Sequence, residues 1–219
     1  FQNFVKDLAV VVMKENPADV EALNACQYPG EGKTVAEALT EKVATIGENI
    51  QLRRFVRYCE KTQNVAYMHM GGKIGVLVAL EVSDNLKGNE AVIELGHDVC
   101  MQIAAMNPQY LDRDNVPAEV VEHEKEILMA QTMNEGKPAA VAQKIVAGRI
   151  NKFFEENCLV DQAFVKENKT SVSKYVEAKA KELGGKIKIA KFARFEKGEG
   201  LAKKEDDFAA EVAAMTAKK

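Results

Sequence analysis

Gly71-Gly72 lies between two short β-rich runs, Val65-Ala66-Tyr67-Met68 and Ile74-Gly75-Val76-Leu77-Val78-Ala79-Leu80. Glycine tolerates the positive φ that tight turns demand, so residues 65–82 are predicted to form a β-hairpin. So short a connection, with Gly71-Gly72 as its turn signal, is far too short for a crossover and makes the strands antiparallel, and an isolated two-stranded ribbon is marginal in water. Two other segments read as strands. Residues 50–60 alternate through Ile50, Leu52, Arg54, Val56 and Tyr58, and residues 186–197 follow a Gly184-Gly185 break.

The remainder reads as helix. Phe1, Phe4, Val5, Leu8, Val11 and Val12 fall on one helical face, which Asn16-Pro17 terminates. Tyr28-Pro29-Gly30-Glu31-Gly32 is a loop, after which Thr34 and Glu37 have the spacing of a capping box. The apolar face of the helix behind it is Val35, Leu39, Val43 and Ile46. Residues 89–106 carry Val92, Leu95, Val99, Ile103 and Met106, and Asn107-Pro108 ends them. Pro117 suits a first helical position, and Pro138 opens the next helix after a short Glu135-Gly136-Lys137 break. Two helices joined so closely must fold back on each other. Residues 157–169 read as a looser segment, and Thr170 as the cap of a helix carrying Val172, Tyr175, Val176 and Leu183. After Gly198-Glu199-Gly200, Phe208, Val212 and Met215 share one face of a final helix. The class is therefore α+β and helix-rich. A weak internal echo links Arg53-Arg54-Phe55-Val56-Arg57-Tyr58-Cys59-Glu60 to Ala190-Lys191-Phe192-Ala193-Arg194-Phe195-Glu196-Lys197. If it marks a duplication, the first copy's hairpin precedes residue 1.

The chemistry-bearing motifs of enzymes are missing from the sequence. There is no phosphate-binding loop, dinucleotide fingerprint or nucleophile elbow, and Gly71-Gly72-Lys73 is better explained as a turn. The chain is read as a non-enzyme without a cofactor. Net charge is −3, which excludes the basic footprint of a nucleic-acid binder. The run 74–80 is far shorter than the roughly 20 residues that span a bilayer. Cys26, Cys59, Cys100 and Cys158 are widely spaced, which suits free thiols in a reducing, cytoplasmic setting and no structural zinc. The opening residues lack an initiator Met and a signal peptide, so the chain is expected to begin mid-protein. Of the three histidines, His97 and His123 fall in predicted helices, while His69 sits at a hairpin tip, where partners are commonly met.

Several stretches, in order along the whole chain, resemble the elongation factor Ts family. They include Thr34 to Thr45 with Ile46-Gly47-Glu48-Asn49-Ile50, Arg53-Arg54-Phe55, and Tyr67-Met68-His69 with Gly72-Lys73-Ile74-Gly75-Val76-Leu77-Val78. Pro117-Ala118-Glu119-Val120-Val121, Gly148-Arg149, Arg194 to Gly200 and Asp207-Phe208-Ala209-Ala210-Glu211-Val212-Ala213 complete the match. The resemblance implies two similar subdomains of antiparallel sheet and helices. These are residues 1–63, lacking their hairpin, and residues 64–117 with 166–200. It further implies a dimerising helical hairpin over 118–165 and a C-terminal helical module over 201–219.

By the same resemblance the chain is a guanine-nucleotide exchange factor whose partner is elongation factor Tu. The implied partner-binding residues are Ile46, His69, Gly71, Gly72, Phe208 and Val212. In the family, a helical module and a Thr-Asp-Phe-Val motif precede the Phe-Gln-x-Phe that opens this sequence. The resemblance therefore implies a truncated chain, with weak binding and poor exchange as the expectation. A dimerising scaffold without exchange activity is the alternative reading.

Overall fold

The computed structural model describes residues 1–58 and 62–200. They fall into two compact units, one formed by Phe1–Asn64 and one beginning at Val65. The predicted final helix, with Phe208, Val212 and Met215, lies outside the described residues.

In the first unit, α1 (Gln2–Glu15) buries Phe4, Leu8, Val11 and Val12. It stops where Asn16 turns left-handed at φ 49°, ahead of Pro17. A helix absent from the sequence reading follows, α2 (Val20–Ala25), whose first turn is capped by Asp19 accepting from the Ala22 amide at 2.8 Å. In α3 (Val35–Ile46) the predicted capping box is complete: Thr34 and Glu37 each satisfy the other's backbone N–H. Between the helices Tyr28 is buried, its ring 5.7 Å from that of Phe4, and its hydroxyl donates to Asp7 Oδ2 at 2.7 Å.

The strand expected over 50–60 is not formed across its described part, 50–58. Alternation suits a strand, but a ladder needs a second one, and this unit offers none among the described residues. The segment instead half-buries Leu52 and Phe55 against the α1–α3 core. Arg57 donates to Asn16 Oδ1 at 2.8 Å and to the Met13 carbonyl at 3.2 Å, which secures the end of α1.

The second unit is built on a three-stranded sheet in the order β1-β2-β5. Its strands are β1 (Gln63–His69), β2 (Ile74–Val82) and, after two short strands described below, β5 (Ile187–Glu196). The predicted hairpin and closing strand are both present. β2 and β5 run antiparallel from Ile74 opposite Glu196 to Val82 opposite Ile187, with a bulge at Ala79/Leu80. α4 (Glu90–Met106) packs on β2 and ends at left-handed Asn107, as Asn107-Pro108 foretold. Gly96 lets α4 approach closely, since a Cβ there would lie 2.5 Å from Val65 Cγ2.

α5 (Ala118–Asn134) and α6 (Ala139–Asn157) lie side by side as predicted, although Pro117 occupies the N-cap of α5 with ψ 137°, not the first helical position. Arg113 holds the base of α6, pairing with both oxygens of Asp161, donating to Asn151 and stacking 4.9 Å above the Phe154 ring. The segment read as loose forms a small hairpin, β3 (Ala163–Phe164) with β4 (Glu167–Ser171). Buried Gln102 of α4 organises it, donating to Gln162 Oε1 and the Ala163 carbonyl and accepting from the Val165 amide. α7 (Val172–Glu182) is capped by Ser171, one residue past the expected Thr170, because Ser171 Oγ is the oxygen facing the Lys174 amide.

Burial has a pH consequence. It pushes the Cys100 thiol up to about 12, and burial together with the Asp7 bond pushes the Tyr28 hydroxyl up to about 12. Both groups are protonated in the native state and ionise more readily once unfolded. Their contribution is therefore complete below their ordinary values of 9.0 and 10.0 and is lost as pH rises toward 12. Urea midpoints should hold steady up to about pH 9 and then fall steeply. A flat profile to pH 12 would contradict the burial of these groups.

Candidate partner-binding surface

The tip of the β1–β2 hairpin gathers three of the residues singled out by sequence: His69, Gly71 and Gly72. His69 closes β1 half-exposed, and its Nδ1 lies 3.0 Å from the Tyr67 hydroxyl, with the two rings 5.8 Å apart. With that hydroxyl as donor, Nδ1 accepts and Nε2–H faces away from Tyr67, available to an acceptor. The turn then runs through three successive left-handed residues, Met70 (φ 49°), Gly71 (φ 65°) and Gly72 (φ 91°). Glycine takes this conformation at little cost, whereas Met70 does so at roughly 1–2 kcal/mol. Strain of this kind collects where a loop's shape serves a contact. The loop is tied down behind the tip, where the Lys73 carbonyl accepts from the Lys197 amide at 2.8 Å.

Sequence reasoning passed over Met68 and Met70, which flank His69 and are exposed. Strand alternation was the available signal: Val65 faces α4, so Ala66 and Met68 belong to the opposite side of the ribbon. The Met68 thioether lies back across the turn, its Sδ 3.3 Å from where a Gly75 Cβ would stand.

Ile46 belongs to the first unit. It is the last residue of α3 and 41% exposed, followed by left-handed Gly47. That unit also carries an apolar groove of about 410 Å³ between α1 and residues 50–56, lined by Phe1, Val5, Met13, Leu52 and Phe55 with Arg53 and Arg54 as its charged members. Phe208 and Val212 lie outside the described residues. His97 and His123 are exposed on α4 and α5.

The tip can present hydrogen bonds and apolar surface to a partner. The hydrogen bond that His69 makes is to the Tyr67 phenol. Among the described residues no cluster of three or more His, Cys, Asp or Glu could hold a metal ion, and no helix is long and apolar enough to cross a membrane. Cys26, Cys100 and Cys158 are free thiols, and Cys59 lies outside the described residues.

A family model described as Elongation factor TS matches residues 1–199. The curated Elongation factor Ts of Syntrophotalea carbinolica (strain DSM 2380 / NBRC 103641 / GraBd1) is 52% identical over 218 residues, covering 99% of this chain and 71% of its own length. That of Clostridium kluyveri (strain ATCC 8527 / DSM 555 / NBRC 12016 / NCIMB 10680 / K1) is 45% identical over 214 residues, covering 97% of this chain and 69% of its own. That of Clostridium perfringens (strain SM101 / Type A) is 47% identical over 219 residues, covering 100% and 71%.

Proposed function

The chain belongs to the elongation factor Ts family of translation elongation factors, and from that footing we propose that it binds elongation factor Tu and promotes release of GDP. It acts in the cytoplasm through binding energy, not as an enzyme, by destabilising the magnesium and phosphate site of its partner. What supports this reading is the hairpin tip, a strained, anchored loop carrying His69, which the resemblance matches to the family's interface histidine. Gly71 and Gly72 shape that loop, while Ile46 on the other unit and Phe208 and Val212 beyond the described residues supply further contacts.

We propose that the two units are similar subdomains, the first without a sheet among its described residues. α1 and α4 both end in a left-handed Asn followed by Pro. α3 and α7 both start behind a hydroxyl cap, Thr34 and Ser171, and each is followed by a left-handed glycine, Gly47 and Gly184. The segment after each pair carries the echo, with Phe55 and Arg57 matching Phe192 and Arg194.

Replacing His69 tests the assignment. His69→Ala removes one interfacial hydrogen bond, so stimulated GDP release should slow by roughly 3–10-fold, with the thermal midpoint held. A sharp fall in midpoint with unchanged release would make the residue structural.

Self-association through α5 and α6 accompanies this function. Ile127, Met133 and Val141 remain exposed on that helical hairpin, and α5 buries only Thr132 among its own residues. Residues beyond the hairpin return to the core, where Cys158, Leu159 and Phe164 are buried, so surface substitutions test it more cleanly than deletion. Sedimentation velocity should show a dimer for the unaltered chain and a monomer for Ile127→Lys/Met133→Lys. Identical masses for the two would sink the idea.

A further inference from the structure

Met68 and Met70 bracket His69 at 66% and 61% exposure, the two most exposed methionines among the described residues. They differ in how they are held. Met68 lies across the turn against the backbone at Gly72 and Gly75, where the lack of side chains makes room for it. Met70 stands exposed on a left-handed backbone within the turn itself. The tip therefore offers one imidazole between two soft, adaptable apolar side chains, a composition suited to filling an irregular apolar pocket. Such side chains contribute only while they remain apolar. Exposed thioethers are also the methionine sulfurs most open to peroxide.

Resting on the functional reading above, we infer that Met68 and Met70 are partner-contacting residues and that their oxidation by peroxide reversibly disables the hairpin tip. Each sulfur lone pair attacks one oxygen of hydrogen peroxide: an S–O bond forms, the O–O bond breaks, and water leaves. The thioether is oxidised to a sulfoxide and the peroxide is reduced to water. Restoration needs a dithiol reductant acting through a methionine sulfoxide reductase, which returns the thioether, one water and a disulfide. A sulfoxide is polar and cannot enter an apolar pocket without loss. Met101 and Met129, each partly buried, are the internal comparison.

The test exposes the full chain to graded hydrogen peroxide, maps sulfoxides by peptide mass spectrometry, and titrates each sample against elongation factor Tu. Met68 and Met70 should convert ahead of Met101 and Met129, with affinity falling about tenfold or more in step, on the scale of an apolar side chain withdrawn from an interface. Methionine sulfoxide reductase with dithiothreitol should restore it. In Met68→Leu/Met70→Leu the ratio of oxidised to unoxidised affinity should stay near one, whatever the starting affinity. An equal loss in that variant, or full affinity in a chain carrying both sulfoxides, would overturn the inference. A chain that does not bind before peroxide is added overturns the functional reading, and this inference with it, at a distinguishable step.

Discussion

Gly96→Ala should destabilise the second unit by about 2 kcal/mol, although alanine is the better helix former. In an exposed helix the exchange would gain roughly 1 kcal/mol. At Gly96 the new Cβ would stand 2.5 Å from Val65 Cγ2 and 3.0 Å from Val65 Cβ. Neither atom can swing away, because Val65 is β-branched, 4% exposed and carried on β1. The helix must lift from the sheet, and overpacking of a tight core costs about 1–3 kcal/mol before the gain in propensity is set against it. The upper end applies here because the obstruction is a branch point close to the backbone. Gly148 of α6 is the matched control, with open space around its Cβ position. Gly148→Ala should raise stability by up to about 1 kcal/mol. Urea unfolding of both variants checks the pair. If Gly96→Ala proves as stable as the parent, α4 does not seat on β1 at this point.

Local signals were the legible part of this fold. The Thr34–Glu37 box, the Asn-Pro helix ends and the Gly-Gly hairpin turn each act within a few residues of themselves, and each is where the sequence places it. What failed depends on distant partners. Residues 50–58 have strand chemistry and no strand to pair with among the described residues of their unit. The β3–β4 hairpin is invisible in the polar run Glu167-Asn168-Lys169-Thr170 because the buried amide of Gln102, more than sixty positions earlier, orders its turn. Capping moved from Thr170 to Ser171 for a similar reason, since β4 runs on to Ser171 and only there does the chain turn into α7. α2 escaped notice because six residues with only Leu23 buried leave no periodicity to read.

The site divides in the same way. His69 was visible because a polar aromatic beside a glycine turn is conspicuous. Met68 and Met70 were not, because methionine is ordinarily core, and their exposure depends on which face of the ribbon α4 covers. The resemblance joined His69 to Ile46, which no local rule would connect.

Exchange requires the factor to prefer the nucleotide-free partner. Moving a two-state population from 1:99 to 99:1 takes about 5.5 kcal/mol of differential affinity. Burying a single large apolar side chain supplies roughly 1.5–3 kcal/mol. No single side chain suffices, so under the proposed function a broad surface must share the work. Binding is reciprocal, so if the chain weakens GDP, GDP weakens the chain's hold by the same factor.

The direct measurement is a pair of calorimetric titrations of this chain, into elongation factor Tu stripped of nucleotide and into the same protein saturated with magnesium and GDP. The account predicts at least about tenfold tighter binding to the stripped form, a coupling of roughly 1.4 kcal/mol or more. Equal affinity for the two forms, or no complex with either, would contradict it.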